Sequence, residues 1–110
     1  MRQIAESDWK IFKKLHPIAL ERFYARAVLE IAEVMADQSR TPRERFWKVS
    51  EITEEHGKDV SEIFDDYRRS TALFQLAIIR RRGFLTDEEI ATFGPDARAF
   101  VQGLMEFGKS

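Results

Sequence analysis

The sequence contains no cysteine. That excludes a disulfide framework, a thiolate-held zinc or iron–sulfur site and a cysteine nucleophile. Asparagine is also absent, so there is no glycosylation sequon. Glycine and proline are sparse, five and three in 110 residues, and they are scattered. Neither a phosphate-cradling loop nor a dinucleotide fingerprint can be assembled from them. No apolar run reaches the roughly 18 residues that a membrane span needs. An excess of either charge is missing too, since 18 Lys and Arg stand against 19 Asp and Glu, for a formal net charge of −1. Proteins whose main task is to grip a phosphate backbone carry a strongly basic balance instead. Residues 1–14 lack the apolar core of a signal peptide, so a cytoplasmic location is expected, with no membrane association.

What is present is 44% hydrophobic and 34% charged residues, enough for one core in a chain of this length. The expected organisation is a single helical domain over residues 1–110. Apolar residues recur at helical spacing from Trp9 to Phe107, and no window alternates as a strand would.

A first helix is expected from Asp8 to about Leu15, with Ser7 as N-cap and a break at His16, because Pro17 disfavours helical geometry before it. A second should run from Pro17 to Asp37. Its polar residues after the first turn are Arg22, Arg26, Glu30, Glu33 and Asp37, which fall within an arc of about 80°. An ordinary surface helix has an apolar stripe a little over about 100° wide. This one is apolar around most of its circumference and must be covered on several sides, inside its own domain or in a subunit interface.

Thr41-Pro42-Arg43-Glu44 reads as a capping box opening a third helix that stops at Gly57. A fourth helix is expected over 59–82, with Val60, Ile63, Phe64, Tyr67, Thr71, Phe74 and Ile78 on its inner face. Ala72, Leu76 and Ile79 then fall on its outer face, with Gln75 the polar residue among them. Arg80, Arg81 and Arg82 before Gly83 match a cationic last turn with a glycine cap. Thr86 and Glu89 make a second capping box, and Gly94-Pro95 separates it from a last helix over 96–107 that should cover the fourth. The fold class is therefore all-α, a small bundle of about five helices with helices 17–37 and 59–82 as a partly antiparallel spine.

The chemistry of sites finds little purchase. A di-metal bundle needs Glu-x-x-His, but the residues three before His16 and His56 are Lys13 and Thr53. Glu51, Glu54, Glu55 and His56 read as a solvated helix face. No nucleophile elbow exists. No catalytic, cofactor-binding or metal residue is therefore expected, and no enzyme. Residues 49–69 can be laid on a helix-turn-helix with its turn at Gly57, but the reading helix would lead with Asp59, Glu62, Asp65 and Asp66, the wrong charge for a phosphate-lined groove.

The expected function is a non-enzymatic helical protein-interaction module that self-associates, a homodimer being the commonest arrangement. Its contacts would be the outward apolar residues Leu76, Ile79 and Phe84, rimmed by Arg80, Arg81 and Arg82. Two other readings stand beside it: a small DNA-binding regulator using residues 49–69, and a ligand-binding or enzyme subunit completed by a partner chain.

Overall fold

A computed structural model describes residues 3–107. The chain forms α1 (Glu6–Ala36), α2 (Pro42–Phe64), a 3-10 turn at Arg69–Thr71, α3 (Ala72–Arg81), α4 (Asp87–Ile90) and α5 (Pro95–Phe107), with no strand among the described residues. The fold is the expected all-α bundle. Its two long helices, α1 and α2, pack against each other, and α5 packs on α3.

The spine differs from the sequence expectation in three places, at Pro17, at Gly57 and at residues 65–68. Helix α1 continues through Pro17. Proline inside a helix removes one hydrogen bond and crowds the preceding turn. The buried register overrides that cost: Asp8, Phe12, His16, Ala19, Phe23 and Ala27 recur at steps of three and four along one face. Breaking the helix at Pro17 would split this face and expose rings worth about 1.5–3 kcal/mol each. Pro17 itself lies on the opposite, exposed side.

Helix α2 likewise runs through Gly57, which is exposed and has open space around it. The real break comes at residues 65–68. Asp65 and Asp66 are poor residues for a helix C-terminus, where the dipole favours cations. Asp66 turns back to take a hydrogen bond from Arg68 at 2.7 Å, and the Thr71 hydroxyl donates to the Asp66 carbonyl at 2.7 Å. Tyr67, freed from the helix, stacks on His16 with centroids 3.9 Å apart and packs beside Trp9 and Phe12.

This break rephases everything after it. In α3 the buried residues are Ala72, Leu73, Gln75, Leu76, Ala77 and Ile79, while Phe74 and Ile78, expected inside, lie at the surface beside α5. Phe74 meets Phe100 of α5 edge-to-face at 5.1 Å. The described helices share one core, joining Phe12, Ala19 and Phe23 of α1 to Ile63 and Phe64 of α2, Leu76 and Ile79 of α3, Phe84 and Phe93 of the connections, and Val101 of α5. The Asp8 carboxylate is buried and accepts the Gly94 N–H at 2.8 Å, tying the start of α1 to the start of α5, where the helix dipole favours an anion.

The buried ring of His16 lies among Phe12, Phe64 and Tyr67, and its Nε2 has no hydrogen-bond partner. Burial pushes its pKa below 6.5, outweighing the opposing influence of the Phe64 backbone and the Gln75 side chain. As pH falls through about 6.5 the unfolded chain takes up a proton that the folded chain resists. Thermal melts should therefore show wild-type stability falling below that pH more steeply than that of His16→Phe. Equal slopes would contradict the buried neutral ring. Glycine substitutions test the backbone reading in opposite directions. Gly57→Ala should raise stability by about 0.5–1 kcal/mol in urea melts, because the site is an open helix interior. Gly83→Ala should lower it, because Gly83 has φ +85°.

Candidate protein-interaction surface

Leu76, Ile79 and Phe84 do not form an outer face. They are 0%, 0% and 2% exposed and belong to the chain's own core, so a partner cannot reach them in the folded state. The physical reason is the break at 65–68, which turns that side of α3 inward. The arginines beyond them are also engaged within the chain. Arg80 donates to the Leu85 carbonyl at 3.0 Å and pairs with Asp87. Arg82 pairs with Asp59 at 3.0 Å. Arg81 is exposed and borders a shallow cleft between α3 and α5. The two-helix motif considered at residues 49–69 has no turn at Gly57, since residues 49–64 are one continuous helix.

Phe74, Ile78 and Phe107 are exposed beside the α3–α5 cleft, but most of the strongly exposed apolar side chains lie elsewhere, at the far end of the α1–α2 hairpin. Ala27 is the last buried residue of α1, and Ile52 is the first of α2. Between them the two helices pack only on each other and form an arm. The shape records it. The molecule measures 52 × 29 × 25 Å with a radius of gyration of 16.8 Å, against about 13 Å for a compact domain of this length.

The arm is held firmly at both ends. At its tip the Thr41 capping box closes, with Glu44 N–H to Thr41 Oγ1 at 3.1 Å and Thr41 N–H to Glu44 Oε1 at 2.8 Å. Asp37 accepts from Ser39 and Arg40, and Arg45 donates to the Met35 carbonyl at 3.0 Å. At its base, Arg22 donates to the Phe84 carbonyl at 3.0 Å and forms a two-pronged pair with Glu89 at 2.6 and 3.0 Å. Arg26 lies over the Phe84 ring at 4.2 Å and donates to the Arg82 and Gly83 carbonyls. Midway, Glu30 meets His56 at 2.7 Å.

These contacts invert the expected polarity of α1. Three of the polar residues in the narrow arc, Arg22, Arg26 and Glu30, point toward the rest of the fold and hold it there. The opposite, apolar side is bare. Val28, Leu29 and Met35 are 63%, 61% and 60% exposed, and Phe46 and Trp47 of α2 are 65% and 61% exposed. Phe46 and Trp47 touch edge-to-face at 5.1 Å. Met35, Pro42, Phe46 and Val49 line an open groove of about 440 Å³ with Arg45 and Ser50 at its edge. Single exposed apolar residues are ordinary, but here five large ones project from one arm, Phe46 and Trp47 in contact and Met35 and Phe46 lining the same groove. It has the aromatic residues, methionine and flanking arginine in which interface cores are enriched.

The apolarity expected around residues 17–37 is present in α1, whereas Leu76, Ile79 and Phe84, expected to face outward, are buried. The missed signal was the heptad step Tyr24, Val28, Ile31, Met35 on the flank away from the buried register. Among the described residues, no three of His, Asp and Glu converge as a metal site would require, and no helix is long and apolar enough to cross a membrane.

The base of the arm can be tested through Glu89, whose carboxyl the Arg22 guanidinium holds down at about 2 with help from the Thr86 amide. A depressed folded pKa contributes stability above the unfolded value near 4.5 and loses it as pH falls toward 2. Glu89→Gln should therefore cost about 1 kcal/mol at neutral pH, solvent screening at the half-exposed Arg22 keeping the figure modest. The gap to wild type should close as pH approaches 2. Denaturant melts at several pH values measure it, and a gap that does not change with pH would contradict the assignment. No family model matches this chain, and no curated protein or solved structure does, so its functional reading rests on the arm itself.

Proposed function

We propose that this chain is a non-enzymatic helical interaction module of the cytoplasm, and that the apolar side of the α1–α2 arm docks a helical surface of another polypeptide. One observation carries the reading: a rigidly anchored arm presents Val28, Met35, Phe46 and Trp47 to solvent on a chain whose core is complete without them. The arm has no role in covering that core beyond Ala27 and Ile52. Ordering and exposing large apolar side chains there costs solubility, which a binding role accounts for. The groove between α1 and α2 has the form of a helix-in-groove site, in which anchors at steps of three and four enter a preformed apolar channel. A fixed arm also binds with little ordering cost, because both of its ends are already tied by side-chain hydrogen bonds. Absence of cysteine suits a reducing compartment.

The test is photo-crosslinking in the producing cell, with a benzophenone amino acid replacing Trp47. The reading predicts a discrete higher-mass adduct that disappears when Val28→Glu is added to the same chain. A Trp47 position that yields no adduct, or one that Val28→Glu leaves unchanged, would contradict it. Circular dichroism of the Val28→Glu protein should show unchanged helix content, because Val28 is outside the core.

A further inference from the structure

We infer that the occupant of the arm is a second copy of this chain, docked antiparallel about a two-fold axis between Val28 and Ile31 to make a four-helix bundle from two α1–α2 hairpins. This inference rests on the interaction reading above and adds the identity and register of the partner.

The area argues for it first. A folded chain of 12.9 kDa is expected to expose about 6,300 Å². This one exposes 7368 Å². The excess belongs to the whole elongated chain, and at on the order of 1,000 Å² it is of the size that one partner contributes to a stable interface, about 800 Å².

The pattern argues for it next. Tyr24, Val28, Ile31 and Met35 recur at steps of four, three and four, the spacing of a coiled-coil seam. That step sequence reads the same in both directions. An antiparallel copy therefore matches it position for position, Tyr24 against the partner's Met35 and Val28 against the partner's Ile31. Ala25 and Ala32 flank the seam and are exposed, so two α1 helices can approach closely. The bulk varies along the seam in a complementary way, with the longer side chains of each copy at the ends and the shorter, branched ones at the axis.

The ends of the surface argue for the direction. At the tip lies the groove of Met35, Pro42, Phe46 and Val49 with Arg45 at its rim. Toward the base of α1, the same flank widens into an open apolar depression of about 600 Å³ lined by Pro17, Ile18 and Ala25, with Glu21 at its edge and Arg22, whose charge Glu89 already engages, beside it. Antiparallel docking lays the aromatic tip of each copy over the depression of the other and brings Arg45 toward the partner's Glu21. Parallel docking would instead leave the aromatic tip of each copy away from the other's depression, and Arg45 far from the partner's Glu21. A net charge of −1 per chain leaves little long-range repulsion to oppose pairing.

Sedimentation equilibrium and engineered cysteines test it, the latter cleanly because the chain has no cysteine of its own. At roughly 100 μM, far above a micromolar dissociation constant, the wild-type protein should sediment at twice 12.9 kDa and Val28→Glu at 12.9 kDa with unchanged helix content. On oxidation, a mixture of Tyr24→Cys and Met35→Cys chains should form a disulfide-linked pair of one of each, and neither variant should link to itself. Self-linking of Tyr24→Cys and of Met35→Cys would overturn the antiparallel register. A wild-type monomer at that concentration overturns the second copy as occupant. If the Trp47 photo-adduct still forms with a chain of different mass, the interaction reading survives that result. If no adduct forms either, both fall.

Discussion

Helix α1 is apolar on two opposite faces, and the chain has core enough to cover only one of them. The first face, Phe12, His16, Ala19, Phe23 and Ala27, is consumed by packing against α2, α3 and the connections around Phe84 and Phe93. The second begins at Pro17 and runs to Met35. Everything distinctive about the molecule follows from the mismatch between these faces: the projecting hairpin, a radius of gyration larger than its length calls for, and a surface that is apolar where solvent meets it.

Polar contacts help to hold the first face inward. Arg22 and Arg26 sit beside the core stripe and reach the carbonyls of residues 82–84, with Glu89 closing the pair at Arg22. These carbonyls follow the end of α3, where unpaired acceptors collect and cations are favoured. Glu89 serves twice, closing the Thr86 capping box and clamping Arg22. These charge-assisted hydrogen bonds lie beside the buried stripe and reinforce the rotation of α1 that its packing sets. With that rotation, Val28, Leu29 and Met35 remain more than half exposed. The same bonds make the arm a stiff extension of the core, which a docking surface requires.

The helical class, the capping boxes at Thr41 and Thr86 and the unusual apolarity of residues 17–37 were legible in the sequence because each is a local pattern with a local cause. Pro17 and Gly57 misled for the opposite reason. Their intrinsic preference for helix ends is worth at most a few kcal/mol, and the continuous buried stripes of α1 and α2 outweigh it. The break at Asp65–Asp66 went unread because its cause is tertiary: Tyr67 leaves the helix to stack on His16, fifty-one positions earlier. That one missed break reversed the faces of α3 and sent the expected contact surface to Leu76 and Ile79, which are core. The bare flank of α1 was visible as excess apolarity. Its direction was not, since nothing local says that a narrow polar arc will face the protein and not the water.

The central claim is that the outer half of the hairpin is covered by another polypeptide and not by its own chain. Backbone hydrogen exchange at increasing protein concentration reads this most directly, by comparing amides of 28–36 and 45–49 with those of 72–79. Protection in the arm should rise with concentration while protection in α3 stays constant. Arm amides as protected as those of α3 at the highest dilution, and indifferent to concentration, would contradict it.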